Sequence, residues 1–280
     1  MEGPYGPLLD TTLRVVSWNV WWRFGPWEER ALAIEATLRT LDADIVCLQE
    51  VWGLDDGNAS FASVLGERLG YHHLYSQRLE WAGPNGDQDH VLFGNAILSR
   101  WPIGTWNWWP LPAREDAEEH RTLLFGEVKG PRGPVQVFCT HLNWRFDHSD
   151  VRQEQVAFIC DRIESTRPRR YPPILCGDMN APPDSTEMMM LTGKTSIPVP
   201  KLVFHDAWEM AGDGPGHTWS NDNPYAKLDL EVARRIDFVY AGWPRAGGAG
   251  HCVRAEVIGQ EAVDGVVPSD HYGVLAELRY

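Results

Sequence analysis

Val266-Val267-Pro268-Ser269-Asp270-His271-Tyr272-Gly273-Val274 is an apolar run broken by a proline, then two ionisable residues, then apolar alternation resuming to Tyr280. Proline cannot donate to a strand ladder. The stretch therefore predicts a loop that sets Asp270 and His271 at the mouth of a final strand. A histidine exchanges a proton near neutral pH, and an adjacent carboxylate can bind a divalent cation. An isolated Asp-His pair is more often a polar loop than a site. The same layout, an apolar strand ending in polar residues, recurs upstream, and the recurrence decides the fold.

Working outward, Leu13–Trp18 predicts a buried strand ending at Asn19, and Asp44–Leu48 a second one ending at Gln49-Glu50. Between them Ala31, Ile34, Leu38 and Leu41 share one face of a helix opened by Gly25-Pro26. Phe61, Val64, Leu65 and Leu69 predict another helix. Residues 79–90 read as a polar loop. Val91–Arg100 and Gly104–Trp109 read as strands, separated at Trp101-Pro102. After an acidic loop over 110–120, Thr122–Val128 and Val135–Thr140 predict a hairpin around Gly130-Pro131-Arg132-Gly133, ending in His141-Leu142-Asn143. Ser149 is the expected N-cap of a helix whose Val156, Ile159 and Ile163 share a face. Pro173–Cys176 runs into Gly177-Asp178-Met179-Asn180, Ile236–Tyr240 carries Asp237 inside an apolar strand, and Cys252–Ile258 precedes the final strand. Residues 192–201 and 212–234 read as loops. Strands outnumber helices, and helices fall between strand pairs. This pattern predicts an α/β protein with two face-to-face mixed β-sheets flanked by helices, a four-layer α-β-β-α sandwich. No linker or internal repeat divides the chain, so one domain over 1–280 is expected, with 1–12 an irregular tail.

Composition narrows the partners. Lys and Arg total 25 against 39 Asp and Glu, a net charge of −14. Such a surface repels polyanions and argues against tight non-specific duplex binding. The cysteines number five, and Cys47, Cys139 and Cys176 each sit in an apolar strand-like run, which favours free thiols in a reducing compartment. Met1-Glu2-Gly3-Pro4 is no charged-then-apolar signal, and no apolar run is long enough to span a bilayer. A cytoplasmic location without a transmembrane segment or an obligate protein partner is the expectation. Some of the 14 tryptophans must lie near the surface, because one core has no room for all.

The polar groups at the strand ends are Asn19, Glu50, His141 with Asn143, Asp178 with Asn180, and Asp270 with His271. Asp237 adds a carboxylate that is expensive to bury unless paired, with His271 its candidate partner. Each alone reads more readily as a cap, a turn or a core histidine. Together they are the parts for phosphoester hydrolysis: carboxylates for a divalent cation, a histidine–carboxylate pair to activate water, and amides with a second imidazole to neutralise phosphate oxygens.

In this order, Ser17-Trp18-Asn19-Val20, Leu48-Gln49-Glu50-Val51, Ala96-Ile97-Leu98-Ser99-Arg100, Thr140-His141-Leu142-Asn143, Gly177-Asp178-Met179-Asn180, Arg235-Ile236-Asp237-Phe238 and Ser269-Asp270-His271 resemble the successive motifs of the endonuclease/exonuclease/phosphatase superfamily, the DNase I-like metal-dependent phosphoester hydrolases. The resemblance implies Mg²⁺, with Mn²⁺ a possible substitute, held by Glu50 with Asn19 and Asp270 nearby. It implies His271 as general base, held by Asp237, with Asp178 the alternative proton acceptor. Asp178 and Asn180 would orient the water and contact the phosphate. His141 and Asn143 would face the phosphate or leaving group. Arg121 is a plausible phosphate contact, although a surface arginine explains it equally well. Several nucleases of this group carry an aspartate two residues after the first asparagine; here that position is Trp21, so a carboxylate for a second metal is missing. An aromatic residue there, Glu50-Val51-Trp52, and Gly94-Asn95-Ala96 running on to Arg100 are nearer the sphingomyelinase-like pattern.

The expected activity is a Mg²⁺-dependent phosphoester hydrolase, a phosphodiesterase or nuclease acting on nucleic acid, phospholipid headgroup or small molecule. A sphingomyelinase-like phosphodiesterase and a small-molecule phosphatase are the alternatives within enzymes, and a degenerate binding module the alternative outside them. Trp18, Trp21, Trp22, Trp27, Trp52 and Trp144 neighbour the motif residues and could wall a substrate or merely pack, and Trp106-Asn107-Trp108-Trp109-Pro110 could form an exposed aromatic tip.

Overall fold

Strands β1 (Thr12–Asn19) and β2 (Ile45–Leu54) pair in parallel, joined by helix α1 (Trp27–Leu41). The same unit recurs where β7 (Gly133–His141) and β8 (Ile174–Asp178) pair in parallel across helix α3 (Ser149–Ser165). Parallel neighbours need a crossover of this length, whereas hairpin neighbours do not. Among the described residues every other strand pairing is antiparallel. The structure is a computed structural model that describes residues 3–54, 57, 59–80, 91–114 and 120–280.

Around the first parallel pair lies a six-stranded sheet, completed by β3 (His72–Glu80), β4 (Val91–Ser99), β11 (Cys252–Ile258) and β12 (Gly273–Arg279) in the order β11-β12-β1-β2-β4-β3. Around the second lies another six-stranded sheet, completed by β5 (Ile103–Pro110), β6 (Thr122–Gly130), β9 (Phe204–Asp206) and β10 (Asp237–Gly242) in the order β5-β6-β7-β8-β10-β9. The period of two sorts each apolar run onto two faces. Leu13, Val15, Ile45 and Cys47 meet Val137, Cys139, Ile174 and Cys176 between the sheets. Their neighbours Val16, Trp18, Val46 and Leu48 face outward onto Ile34 and Leu38 of α1 and onto Phe61 and Leu65 of α2 (Phe61–Leu69). On the far side Phe138, Leu175, Phe238 and Tyr240 pack on Val156, Ile159 and Ile163 of α3 and on Met188 and Leu191 of α4 (Thr186–Thr192). The four-layer sandwich is the expected one. Because both faces of the central strands are covered, they read as unbroken apolar runs.

The chain departs from the sequence reading in several places. β3 is a full edge strand, so Leu79 and Glu80 belong to a strand rather than to the expected loop. The rest of that loop, 81–90, and residues 115–119 of the acidic loop lie outside the described residues, as do Met1 and Glu2 of the tail. Thr12 already belongs to β1, while residues 3–11 carry no helix or strand. α3 starts at Ser149 with His148 at the N-cap position, and the Ser149 hydroxyl instead donates to Glu187 Oε2 at 2.8 Å. Trp106–Pro110 is no exposed tip: it is the edge strand β5, in which Trp108 and Trp109 pack against the cores and Trp106 stands 51% exposed.

Candidate active site

Both parallel pairs end on the same side of the molecule, and the antiparallel partners begin there. β1 ends at Asn19, β7 at His141 and β8 at Asp178. β10 opens with Asp237 directly opposite Asp178, and β12 opens just after His271, with Val274 opposite Ser17. In open α/β sheets ligands bind beyond the carboxyl ends of parallel strands, and here two such ends converge.

Glu50 reaches this side through an irregularity. Between Leu48 and Val51 the pairing of β2 with β4 slips by one residue, and Glu50 takes a φ of 55°. A bulge of this kind re-aims one side chain out of the strand's alternation. Asn180 also sits at positive φ, 50°, just past the end of β8. Left-handed backbone is costly for a glutamate, while an asparagine tolerates it, and such backbone is a recognised mark of functional loops. The Asn19 amide joins the two carboxylates, donating to Glu50 Oε1 at 3.1 Å and to Asp178 Oδ2 at 3.0 Å.

Asp178 lies at the centre. His271 approaches its Oδ2 with Nε2 at 3.7 Å, and His141 approaches the same oxygen with Nε2 at 3.3 Å. Behind His271, Nδ1 lies 3.0 Å from Asp237 Oδ2. Behind His141, Nδ1 lies 2.7 Å from Arg121 Nη1. A guanidinium has only donors, so His141 Nδ1 accepts and its proton sits on Nε2, toward Asp178. All of Asp178, Asp237, His141 and His271 are buried.

The charges follow from these contacts. Burial and the adjacent Arg121 hold the His141 pKa well below its ordinary value, so the ring is neutral. Burial acts on His271 in the same direction, but Asp237, Asp178 and Asp270 outweigh it and raise its pKa well above the ordinary value. Burial pushes Asp237 up to about 6, against the pull of His271, and its Oδ1 has no hydrogen-bond partner among the described residues. Asp178 is held below the ordinary carboxylate range because His141, His271 and the Asn19 amide outweigh its burial. Burial and the neighbouring Glu50 raise Asp270 to about 7, and burial raises Glu50 as well. His271 and Arg30 pull Asp270 the other way, as His271 and Arg121 pull Glu50, but burial outweighs them. The donors there are oxygens, two carboxylates and an amide carbonyl, which suits a hard cation such as Mg²⁺. Asp178, Asp237 and His271 also have potential ligand atoms within 4.8 Å of one another. Asp237 Oδ2 and His271 Nδ1 already engage each other, however, which fits a proton relay better than an ion site.

The motifs from β1 to the Asp270-His271 loop match one family model, described as the Endonuclease/Exonuclease/phosphatase family, over residues 16–271. The chain belongs to the Endonuclease/Exonuclease/phosphatase family. Members are metal-dependent enzymes that hydrolyse phosphoesters, and this chain is a hydrolase of that kind. It is 28% identical over 177 residues to the uncharacterized protein YbhP of Escherichia coli, covering 60% of this chain and 67% of that protein. To the inositol phosphosphingolipids phospholipase C of Schizosaccharomyces pombe it is 26% identical over 264 residues, covering 81% of this chain and 59% of that protein. The crystal structure of D. rerio TDP2 complexed with single-strand DNA product superposes with a TM-score of 0.73 at 21% identity, covering 97% of this chain and all of that one. At that identity the likeness concerns the fold.

Of the family-like residues expected from sequence, Asn19, Glu50, Arg121, His141, Asp178, Asp237 and His271 form one connected network. Asn180 anchors the rim, its backbone N–H donating to Asp178 Oδ1 at 2.9 Å and its amide to Leu142 O at 3.0 Å. Asn143 is buried, and its Oδ1 accepts from the Arg145 N–H at 3.1 Å. Trp21 leans on Tyr225 with ring centroids 4.8 Å apart. Trp18 is wholly core, its indole N–H donating to His271 O at 3.0 Å.

Two supporting residues escaped the sequence reading. Arg30 is 1% exposed and donates to the carbonyls of Val20, Trp21, Trp22, Phe24 and Pro268 at 2.8–3.1 Å. It ties the loop after Asn19 to the loop before Asp270, with burial lowering its pKa to about 10. The signal was present: Arg30, Ile34 and Leu38 recur every four residues on the face that α1 buries. The other is Trp219, whose ring packs edge-on against His271 at 4.8 Å; its loop carries no periodicity that would have exposed it.

Proposed function

We propose that the chain is a Mg²⁺-dependent phosphodiester hydrolase in which His271, backed by Asp237, takes the proton of the attacking water. The observation that supports this most is the line Asp237–His271–Asp178–His141–Arg121, with contacts of 3.0, 3.7, 3.3 and 2.7 Å. It sets a basic imidazole and a neutral, proton-donating imidazole on either side of one carboxylate. General acid–base chemistry needs such a pair of groups whose surroundings drive their pKa values apart.

Glu50, Asn19 and Asp270 would hold the Mg²⁺, with Mn²⁺ able to replace it. The ion would act as a Lewis acid on a phosphate oxygen. A cation held there would offset one of the three carboxylates that raise the proton affinity of His271, which would favour the ring as a general base. Asp178 accepts from His141 and orients the water between the rings, and Asn180 fixes the Asp178 carboxylate. On the opposite side His141, Arg121 and Asn143 face the phosphate and the leaving group. Trp21 stands at the rim beside the Asn19 motif.

The two sheets share one inter-sheet core, which fits a single catalytic domain over the chain. All five cysteines are free and buried, which fits a reducing, cytoplasmic setting. Among the described residues no helix is long and apolar enough to cross a membrane.

The test is hydrolysis with Mg²⁺ of bis-p-nitrophenyl phosphate, p-nitrophenyl phosphate, single- and double-stranded DNA, RNA and sphingomyelin vesicles, by wild type and His271→Ala. Cleavage of a diester by wild type, lost in a folded variant and abolished by EDTA, is expected. Undiminished turnover by His271→Ala would sink the assignment of the base, and full activity in EDTA that of the metal.

A further inference from the structure

The segment Lys227-Leu228-Asp229-Leu230-Glu231-Val232 carries three aliphatic residues at alternate positions, and Leu228, Leu230 and Val232 are 77%, 87% and 74% exposed. The loop that presents them is tied down. Ala226 is buried, the Asn221 amide donates to Glu231 O at 2.8 Å, and Arg234 pairs with the Glu231 carboxylate. Leu230 takes a φ of 57°, which a leucine adopts only when its surroundings impose it. Water-exposed aliphatic side chains held at the tip of an anchored loop ask for an apolar environment.

The patch continues onto the loop that follows His141. Phe146 and Trp144, from the loop after β7, are 63% and 54% exposed, and the Arg234 guanidinium lies 4.7 Å over the Phe146 ring, joining the two loops. Arg234 in turn bridges through its backbone to Trp219, the residue packed on His271. Immediately beside the apolar side chains, over 144–147 and 226–234, the charges balance: Arg145, Lys227 and Arg234 against Asp147, Asp229 and Glu231, with Asp222 the next charge before Lys227.

We propose that this rim is a lipid-docking surface that seats the chain on a zwitterionic phospholipid bilayer and delivers a headgroup phosphodiester to the site; this rests on the phosphodiesterase reading above. Aliphatic tips insert among acyl chains, and a tryptophan suits the headgroup level. A locally neutral patch on a chain of net charge −14 fits zwitterionic headgroups. Nucleic acid instead calls for a net-cationic groove beside its stacking faces; here Trp144 and Phe146 could stack, but Arg145, Lys227 and Arg234 are matched by Asp147, Asp229 and Glu231, and the tip itself is aliphatic.

The test is sedimentation with phosphatidylcholine–sphingomyelin vesicles in EDTA, so that binding is read without chemistry. Wild type is compared with the triple variant Leu228→Ser, Leu230→Ser, Val232→Ser, and both are then assayed with Mg²⁺ on bis-p-nitrophenyl phosphate. Wild type should bind, and the variant should bind about tenfold or more weakly while keeping its melting temperature and its rate on the soluble diester. No vesicle binding by wild type, or equal binding by the variant, would overturn the proposal. So would self-association through the same residues in place of vesicle binding, which would assign the rim to a second copy of the chain. Vesicle binding by wild type, lost in the variant, with no diester cleaved by either, would uphold the surface and refute the phosphodiesterase reading.

Discussion

His271 and His141 are the same residue type, equally buried, both with Nε2 on Asp178 Oδ2. What stands behind each ring differs. Asp237 backs His271 and with the other carboxylates raises its affinity for a proton against burial, while burial, joined by Arg121 behind the ring, lowers that of His141. Two imidazoles on one carboxylate thus take opposite protonation states. The lesson is that the group behind the ring sets its role, because in a buried site a charge at hydrogen-bond distance outweighs the residue's intrinsic pKa.

The comparison breaks most visibly at Asp237. Asp237→Asn keeps the shape but removes the charge and the tautomer it enforces. Turnover on a cleaved diester should fall by about three to four orders of magnitude, as such substitutions do in related relays. A loss under tenfold at unchanged folding would show that Asp237 does not govern His271.

Next in size is Arg30, a buried cation that faces carbonyls instead of an imidazole. Arg30→Met leaves three buried carbonyls, those of Val20, Trp22 and Pro268, and two part-buried ones, those of Trp21 and Phe24, without their donor, and unpaired buried acceptors are costly. Unfolding free energy should drop by about 3 kcal/mol or more, measured by urea titration. An unchanged midpoint would show that water or rearranged loops replace the guanidinium.

At Arg121 the comparison sharpens. Arg121→Met should lower turnover about ten- to a hundredfold and let the His141 pKa rise, which histidine NMR reads directly. The linkage sign is definite. A histidine whose folded pKa lies below its unfolded value of 6.5 contributes stability above that pH and loses it as pH falls through the window below. Wild type should therefore lose more stability than Arg121→Met on acidification from pH 6.5; equal losses would remove Arg121 as the cause.

Smallest is the exposed contrast. Glu35 pairs with Arg39 at 2.8 Å and with Arg68 at 2.9 Å on the outer helices, and its pKa is lowered chiefly by the hydrogen bond from Arg68. Glu35→Gln should cost about 0.3–0.5 kcal/mol, present above pH 4.5 and fading as acid protonates the carboxylate. Thermal melts at two salt concentrations check it, and a larger effect would mean that the pair is less screened than its arginines suggest.

Much of the site was legible because each strand end carries a polar residue that an apolar run does not otherwise tolerate. Asn19, His141, Asp178 and Asp237 stand out for that reason alone. Arg121 was ambiguous, since an arginine opening a strand after a loop is usually solvated; only its contact with His141 gives it a place. β3 went unread because His72-His73-Leu74-Tyr75-Ser76 is an edge strand with little apolar alternation. Leu228, Leu230 and Val232 looked like any loop, and their exposure exists only in three dimensions.

By itself the sequence determined the four layers and the identities of the polar groups, because strand and helix periods and the cost of burying a carboxylate are local properties of the chain. The tertiary structure alone decided which groups back which. Asp237 and His271 are 34 residues apart, and Arg121 and His141 are 20 apart. The proton affinities of those rings depend on charges a few ångströms away in space, a distance no spacing along the chain encodes.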